Sequence, residues 1–236
     1  MPTIQTSCLA QTLLFFCLSL SGLAQPTPSD SLPATRAAIF YQSYIGPDAA
    51  IYNGAAYQPN YRGIQGDPYF ETPNLTTGTL IYEGLTYTRI PMLYDLVQDN
   101  LAISDPKGQL LVLASSKIQQ FTFGTHTFVY QGTDRTPGFY ERLSSGYATL
   151  FVRHTKKVEE KLEDAQLRRF VTSHDEYILY KQAHYYPVTS GNHLLSLLSD
   201  KKKELQQFQH EQHIRFKNDP AADMQAIVDH YNQLPH

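Results

Sequence analysis

The sequence predicts an α+β fold, mainly β: an antiparallel meander, curled or barrel-like, with two to three C-terminal helices packed on it. Three observations lead there. Short runs of Tyr, Phe, Ile, Leu, Val and Thr recur through the middle of the chain, separated by compact turn sequences, as strands joined by hairpins require. Tyrosine is abundant, at 17 residues beside 12 Phe and no Trp, and alternating Tyr suits a half-buried sheet whose rings pack while the hydroxyls stay wet. Past about residue 190 the apolar period changes to a helical one.

The N-terminal apolar run, Leu13 to Ala24, is followed at once by Gln25-Pro26-Thr27-Pro28-Ser29-Asp30. It reads as a secretory signal cleaved after Ala24, within Gly22-Leu23-Ala24. No Lys or Arg precedes Leu13, so the α-amine supplies the only positive charge. The run is too short to span a bilayer, which takes roughly 20 apolar residues. A lipid anchor fits less well, because Cys17 lies inside the run behind Leu14-Phe15-Phe16 rather than behind small residues. The expected organisation is a signal peptide over 1–24, a flexible linker over 25–36 and one β-rich domain over 37–236, helical over 190–234. Cleavage would remove Cys8 and Cys17, leaving a mature chain with no thiol and no disulfide. The location expected is periplasmic or extracellular, with no transmembrane segment after cleavage. The net charge of −3 and pI near 6.3 imply no strongly basic face, which argues against nucleic acid as a partner.

Between Ala37 and Tyr57 short aromatic pieces are interrupted by Gly46-Pro47 and Asn53-Gly54, and Gln58 to Gly78 reads as a long irregular connection. Strands then follow. Leu80-Ile81-Tyr82 and Leu85-Thr86-Tyr87 flank the two-residue turn Glu83-Gly84. Ile90 to Leu96 continues the pattern, with Pro91 pointing to an edge or a bulge. Asn100 to Ser104 and Gln109 to Ala114 flank Asp105-Pro106-Lys107-Gly108, a type I turn by composition. Further hairpins are expected at Gly124, at Ser144-Ser145-Gly146, and between Tyr177–Lys181 and His184–Val188. Leu194, Leu197, Leu198, Leu205 and Phe208 recur at helical spacing, with Lys201-Lys202-Lys203-Glu204 marking a break. Asp219-Pro220 supplies an N-cap and a first-turn proline, and Met224, Ile227, Val228 and Tyr231 form one apolar face.

Several stretches resemble a group of uncharacterised exported proteins of Gram-negative bacteria. They are Ile51-Tyr52-Asn53-Gly54 with Tyr57, Gly66-Asp67-Pro68-Tyr69-Phe70, Gly78 through Tyr87, Leu93-Tyr94-Asp95 with Asp99, Gly138-Phe139-Tyr140, Tyr185-Tyr186-Pro187-Val188, Lys201 to Leu205 with Phe208, and Tyr231-Asn232. The resemblance implies export and a β-rich domain, and it carries no activity.

No motif for nucleophilic catalysis stands out: there is no Gly-x-Ser-x-Gly and no mature cysteine. Asp95 and Asp99 are four residues apart and could serve as an acid/base pair, a Ca²⁺ site, or simply turn-capping aspartates. His210, Glu211 and His213, with His230, could share a metal or form a polar helix face; His174-Asp175-Glu176 reads as a strand entry. Arg153 to Arg169 is either a weak helical stripe (Val158, Leu162, Ala165, with an Asp164–Arg168 pair) or a solvated hairpin tip. The binding candidates are Tyr52, Asn53, Tyr57, Tyr61, Tyr69, Phe70, Tyr94 and Asp95, aromatic and polar residues on irregular backbone, set against the simpler reading of rings that plug the core. The function expected is a non-enzymatic envelope module that binds or builds. Its partner would be an envelope protein or an apolar small molecule, with no cofactor and no metal. The alternatives are a hydrolase using Asp95 or Asp99 with a histidine, or a carrier of a lipid-like ligand.

Overall fold

The computed structural model describes residues 50–132, 136–163 and 166–236. The expected signal, both cysteines, the linker, the 37–49 segment, Asp164 and Ala165 lie outside them. One sheet dominates. Its strands are β1 (Ala55–Ala56), β2 (Ile64–Gln65), β3 (Thr76–Tyr82), β4 (Leu85–Asp95), β5 (Asn100–Ser104), β6 (Leu110–Val112), β7 (Ile118–Phe123), β8 (His126–Gln131), β9 (Gly138–Ser144), β10 (Ala148–Glu163), β11 (Gln166–Lys181) and β12 (His184–Val188). The order is β1-β6-β5-β4-β3-β7-β8-β9-β10-β11-β12, antiparallel throughout, and β2 adds to β11 in parallel. The sheet is not closed into a barrel, so one end of its core needs another cover.

Local chemistry places the turns. Glu83 and Gly84 both take positive φ, 50° and 79°, and join Tyr82 directly to Leu85; two left-handed residues give the turn whose twist matches the strands. Asp105 organises the next hairpin: its Oδ1 accepts from Lys107 N–H at 2.8 Å and Gln109 N–H at 2.7 Å, and its carbonyl from Gly108 N–H at 3.0 Å. Pro91 sits where β4 is paired with β3 but lies beyond the β5 register, which begins at Met92. Arg89, at φ 58°, forms the bulge opposite Thr79. Pro91 therefore has both an edge and a neighbouring bulge, as its missing N–H demands. The bulge also brings Gly78 against β7, where a Cβ would run into the Thr122 carbonyl oxygen.

Two large apolar cores occupy the sheet, beside a small third cluster of Tyr140, Phe151 and Ile178. The first is made by strands and loops alone, with Leu80, Met92, Tyr94, Leu101, Phe121, Phe128 and Phe139 fully or nearly fully buried. Its rings meet mostly edge to face, as Tyr94 does on Phe121 and Phe139 at centroid distances of 5.3 and 5.7 Å, the favourable arrangement for ring quadrupoles. The second lies under three helices: α1 (Gly191–Leu197), α2 (Lys202–Glu211) and α3 (Pro220–Gln233). Here Leu150, Leu179, Leu194, Leu198, Leu205, Ile227, Val228 and Tyr231 are sealed from solvent. Ser190 caps α1 by accepting from His193 N–H at 3.1 Å. Asp219 caps α3 by accepting from Ala222 N–H at 3.0 Å, with Pro220 in the first turn. The break between α1 and α2 is a 3₁₀ turn over Ser199–Lys201, earlier than the expected Lys201–Glu204, of which Lys202 to Glu204 form the first turn of α2.

Polar side chains fix the helices to the sheet. Asn232 accepts from Ala148 N–H at 2.8 Å and donates to its carbonyl at 2.9 Å, acting as an extra strand residue beside β10. Lys181 donates to Asp200 at 2.6 Å, and Tyr231 donates to the other Asp200 oxygen at 2.8 Å.

The charge run is not helical. β10 and β11 pair over their whole length, with Val158 opposite Val171 and Glu160 opposite Arg169. β9 pairs with β10 only at residues 150–152, so the hairpin runs on past the sheet as an arm. Replacing Gly78 by Ala is expected to lower stability by about 2 kcal/mol or more, the cost of forcing a methyl into packed backbone. Urea unfolding would show it as a lower midpoint at unchanged slope.

Candidate functional site

The predicted tyrosine constellation is built around Asp95, which is fully buried. Its carboxylate accepts from Tyr57 at 2.7 Å, from Tyr61 at 2.7 and 2.9 Å, and from the N–H groups of Val97 and Gln98 at 2.9 and 3.0 Å. The Asp67–Phe70 segment lies along the end of β4: Phe70 N–H donates to the Tyr94 carbonyl at 2.9 Å and Leu96 N–H to the Pro68 carbonyl at 3.0 Å. Lys156, from the arm, donates to the Asp67 and Tyr69 carbonyls. Tyr61 and Tyr69 meet edge to face at 6.2 Å. Burial, the Tyr69 hydroxyl and the Asp95 charge push the Tyr57 phenol up; burial and Asp95 do the same to Tyr61.

Thus Tyr57, Tyr61, Tyr69 and Asp95 converge, and Phe70 and Tyr94 pack beside them in the first core. Tyr52 packs on that core's edge, and Asn53 is exposed. The group satisfies a buried carboxylate and holds a loop in place. Asp99 accepts from Tyr94 at 2.7 Å and faces Arg153 at 3.4 Å; burial raises its pKa, against the pull of those two partners. Among the described residues no histidine bonds to Asp95 or Asp99. His230 stacks on Phe208 at 4.0 Å, and no described set of three or more His, Cys, Asp or Glu is arranged to hold a metal.

A second polar chain was not foreseen from the sequence. His126 Nε2 lies 3.0 Å from Glu71 and its Nδ1 lies 2.6 Å from Glu141. The other Glu141 oxygen is 2.8 Å from His154 Nε2, and His154 Nδ1 is 2.7 Å from Asp175. Carboxylate and imidazole alternate across β8, β9, β10 and β11. Phe70 packs on both imidazoles, at 5.0 and 5.3 Å. Burial disfavours a charged His154, but the bonds to Asp175 and Glu141 prevail and raise its pKa to about 9. Burial likewise opposes the Glu141 charge, and the bonds from His154 and His126 overcome it, so its pKa is lowered. Glu141 is therefore an anion and His154 a cation at neutral pH.

Asp175 also borders a cleft of about 970 Å³ between β11–β12 and the helices. Its walls include Tyr140, Tyr177, Val188, Phe216 and Met224, and its rim Ser190, Asn192 and Arg215. Gly191 lies beneath Phe216, where a Cβ would run into the ring. Burial first, then the charges of Asp175, Asp219 and Glu141, push the Tyr177 phenol up to about 12. His174-Asp175-Glu176 is not a strand entry: it lies in the middle of β11, which begins at Gln166, with Asp175 opposite His154, and it forms part of the cleft wall. Compared with protein-family profiles, characterised proteins and solved structures, the chain matches none.

The His154 pKa sets a pH dependence. A histidine whose folded pKa lies above its unfolded 6.5 contributes stability below pH 6.5 and loses it as pH rises through about 9. Between those values the unfolding free energy of the wild type should fall by of order 3 kcal/mol relative to His154→Gln, as read from urea unfolding at each pH. Parallel profiles would rule out the paired imidazolium.

Proposed function

We propose that the protein is an exported, non-enzymatic module of the Gram-negative envelope that holds a small amphiphilic molecule in the cleft between β11–β12 and the helices. The observation that carries this reading is the cleft itself, whose about 970 Å³ is in the range of ligand pockets. Tyr177, Val188, Phe216 and Met224 offer an apolar bed, and Ser190 and Asn192 offer polar groups at the rim. The Asp175 and Glu176 carboxylates in the lining favour a ligand whose polar end is cationic or donates hydrogen bonds. Export rests on the signal-like N-terminus and on the resemblance noted above.

The alternation of acids and imidazoles that ends at the cleft favours a second reading, hydrolysis. The geometry of His154 speaks for binding instead. Both of its ring nitrogens are occupied by carboxylates, and its raised pKa keeps it protonated. A general base needs a free nitrogen and a pKa near the working pH. Asp95 is similarly committed, to two phenols and two backbone N–H groups.

Octylammonium titrated into ¹⁵N-labelled protein should shift the amides of Asp175, Tyr177, Ser190 and Asn192, and octanoate should do so more weakly. Tyr177→Ala should weaken octylammonium by about tenfold, the scale of one lost aromatic wall. Shifts scattered over the sheet, or none, would overturn the assignment of this cleft.

A further inference from the structure

The free edge of the β10–β11 arm has a sequence that complements itself when run antiparallel. β9 leaves β10 after Val152, and Lys156 N–H then donates outward to the Leu96 carbonyl at 3.1 Å. Because backbone groups alternate sides along a strand, the N–H and C=O of Val158, Glu160 and Leu162 point the same way. No described strand pairs with them there. An unpaired strand edge is a template for another strand. Here the apolar ends are also bare: Leu162 and Leu167, opposite each other near the tip, are 75% and 64% exposed.

We propose that this edge pairs with the same edge of a second copy across a twofold axis at Glu160. In that register Val158 stands opposite Leu162 of the other copy and Glu159 opposite Lys161, and symmetry repeats each pair. Val158, Glu160 and Leu162 are the outward-bonding residues, so the axis falls on a hydrogen-bonded pair and the contact gains roughly six N–H···O bonds. Cross-strand neighbours share a face, as Val158 does with Val171 and Leu162 with Leu167. A continuous apolar row would therefore cross four strands: Leu167 and Leu162 of one copy, then Val158 and Val171 of the other. The two Glu160 carboxylates meet at the axis, and each has Arg169 of its own hairpin 3.9 Å away, so the row of four charges is neutral. A twofold contact of this kind uses one patch twice and closes on itself, which stops further growth.

The charges make a test that misfolding cannot imitate. Sedimentation velocity of the wild type from micromolar to millimolar concentration should show a reversible monomer–dimer equilibrium. Lys161→Glu leaves only acids at 159 and 161, and Glu159→Lys leaves only lysines. Each variant alone should dimerise about tenfold or more weakly, since two attractive cross-strand pairs become repulsive. Mixed together, the two should form a heterodimer at wild-type concentrations, because each restores the other's pairs. A wild type that stays monomeric at millimolar concentration, a Lys161→Glu variant that dimerises like wild type, or a mixture that does not associate would each overturn the proposal.

Discussion

Glu141 carries a carboxylate into the middle of the protein, and both of its oxygens are taken by imidazoles, at 2.6 and 2.8 Å. Phe139, two residues before it, belongs to the core built from strands alone. Ser144, three residues after it, bonds Asp229 of α3. The carboxylate thus stands at the seam between the two cores. A buried charge is tolerated only when its partners are in place, and removing one partner of such a pair typically costs about 3–5 kcal/mol. The positions of β8, β10 and β11 relative to β9 are therefore set by an electrostatic condition as well as by apolar packing, which alone would tolerate more variation.

Asp95 imposes the same condition at the end of β4, across Phe70 from the two imidazoles. Two phenols and two backbone N–H groups share its oxygens, and the long 57–70 connection is pinned as a result. The loop that looked most adaptable in sequence is a structural closure. The two regions proposed to meet other molecules lie elsewhere: the cleft under the helices and the arm beyond the sheet. They use different physics. The cleft offers aromatic walls beside acidic side chains, whereas the arm offers backbone hydrogen bonds and a charge pattern.

The hairpins and helices were legible because each depends on residues close in sequence. Glu83-Gly84, Asp105 to Gly108 and the Asp219-Pro220 start all formed where local chemistry placed them. The meander was legible for the same reason, since short turns make neighbours in sequence neighbours in space. Asp95 was singled out beside Asp99 and among the tyrosines, but its phenol partners come from residues 34 and 38 positions away. The His126–Glu141–His154–Asp175 chain was not legible. Its members come from four strands, and only the register brings them together. One signal could have pointed to it: Glu141 alternates with Phe139 on the inward face of a strand, where an acid must find a partner. The arm was ambiguous because alternating charges obscure both the strand and the helix period, so pairing between β10 and β11 had to decide it.

The join between the two cores depends on an ion pair between Glu141 and His154 inside the protein. The most direct measurement is the titration of the His154 ring by heteronuclear NMR in the intact chain. A transition near pH 9, with the ring protonated at neutral pH, is the predicted result. A transition at or below 6.5, the ordinary histidine value, would mean a neutral imidazole beside Glu141 and would contradict the electrostatic seam on which the two cores are joined.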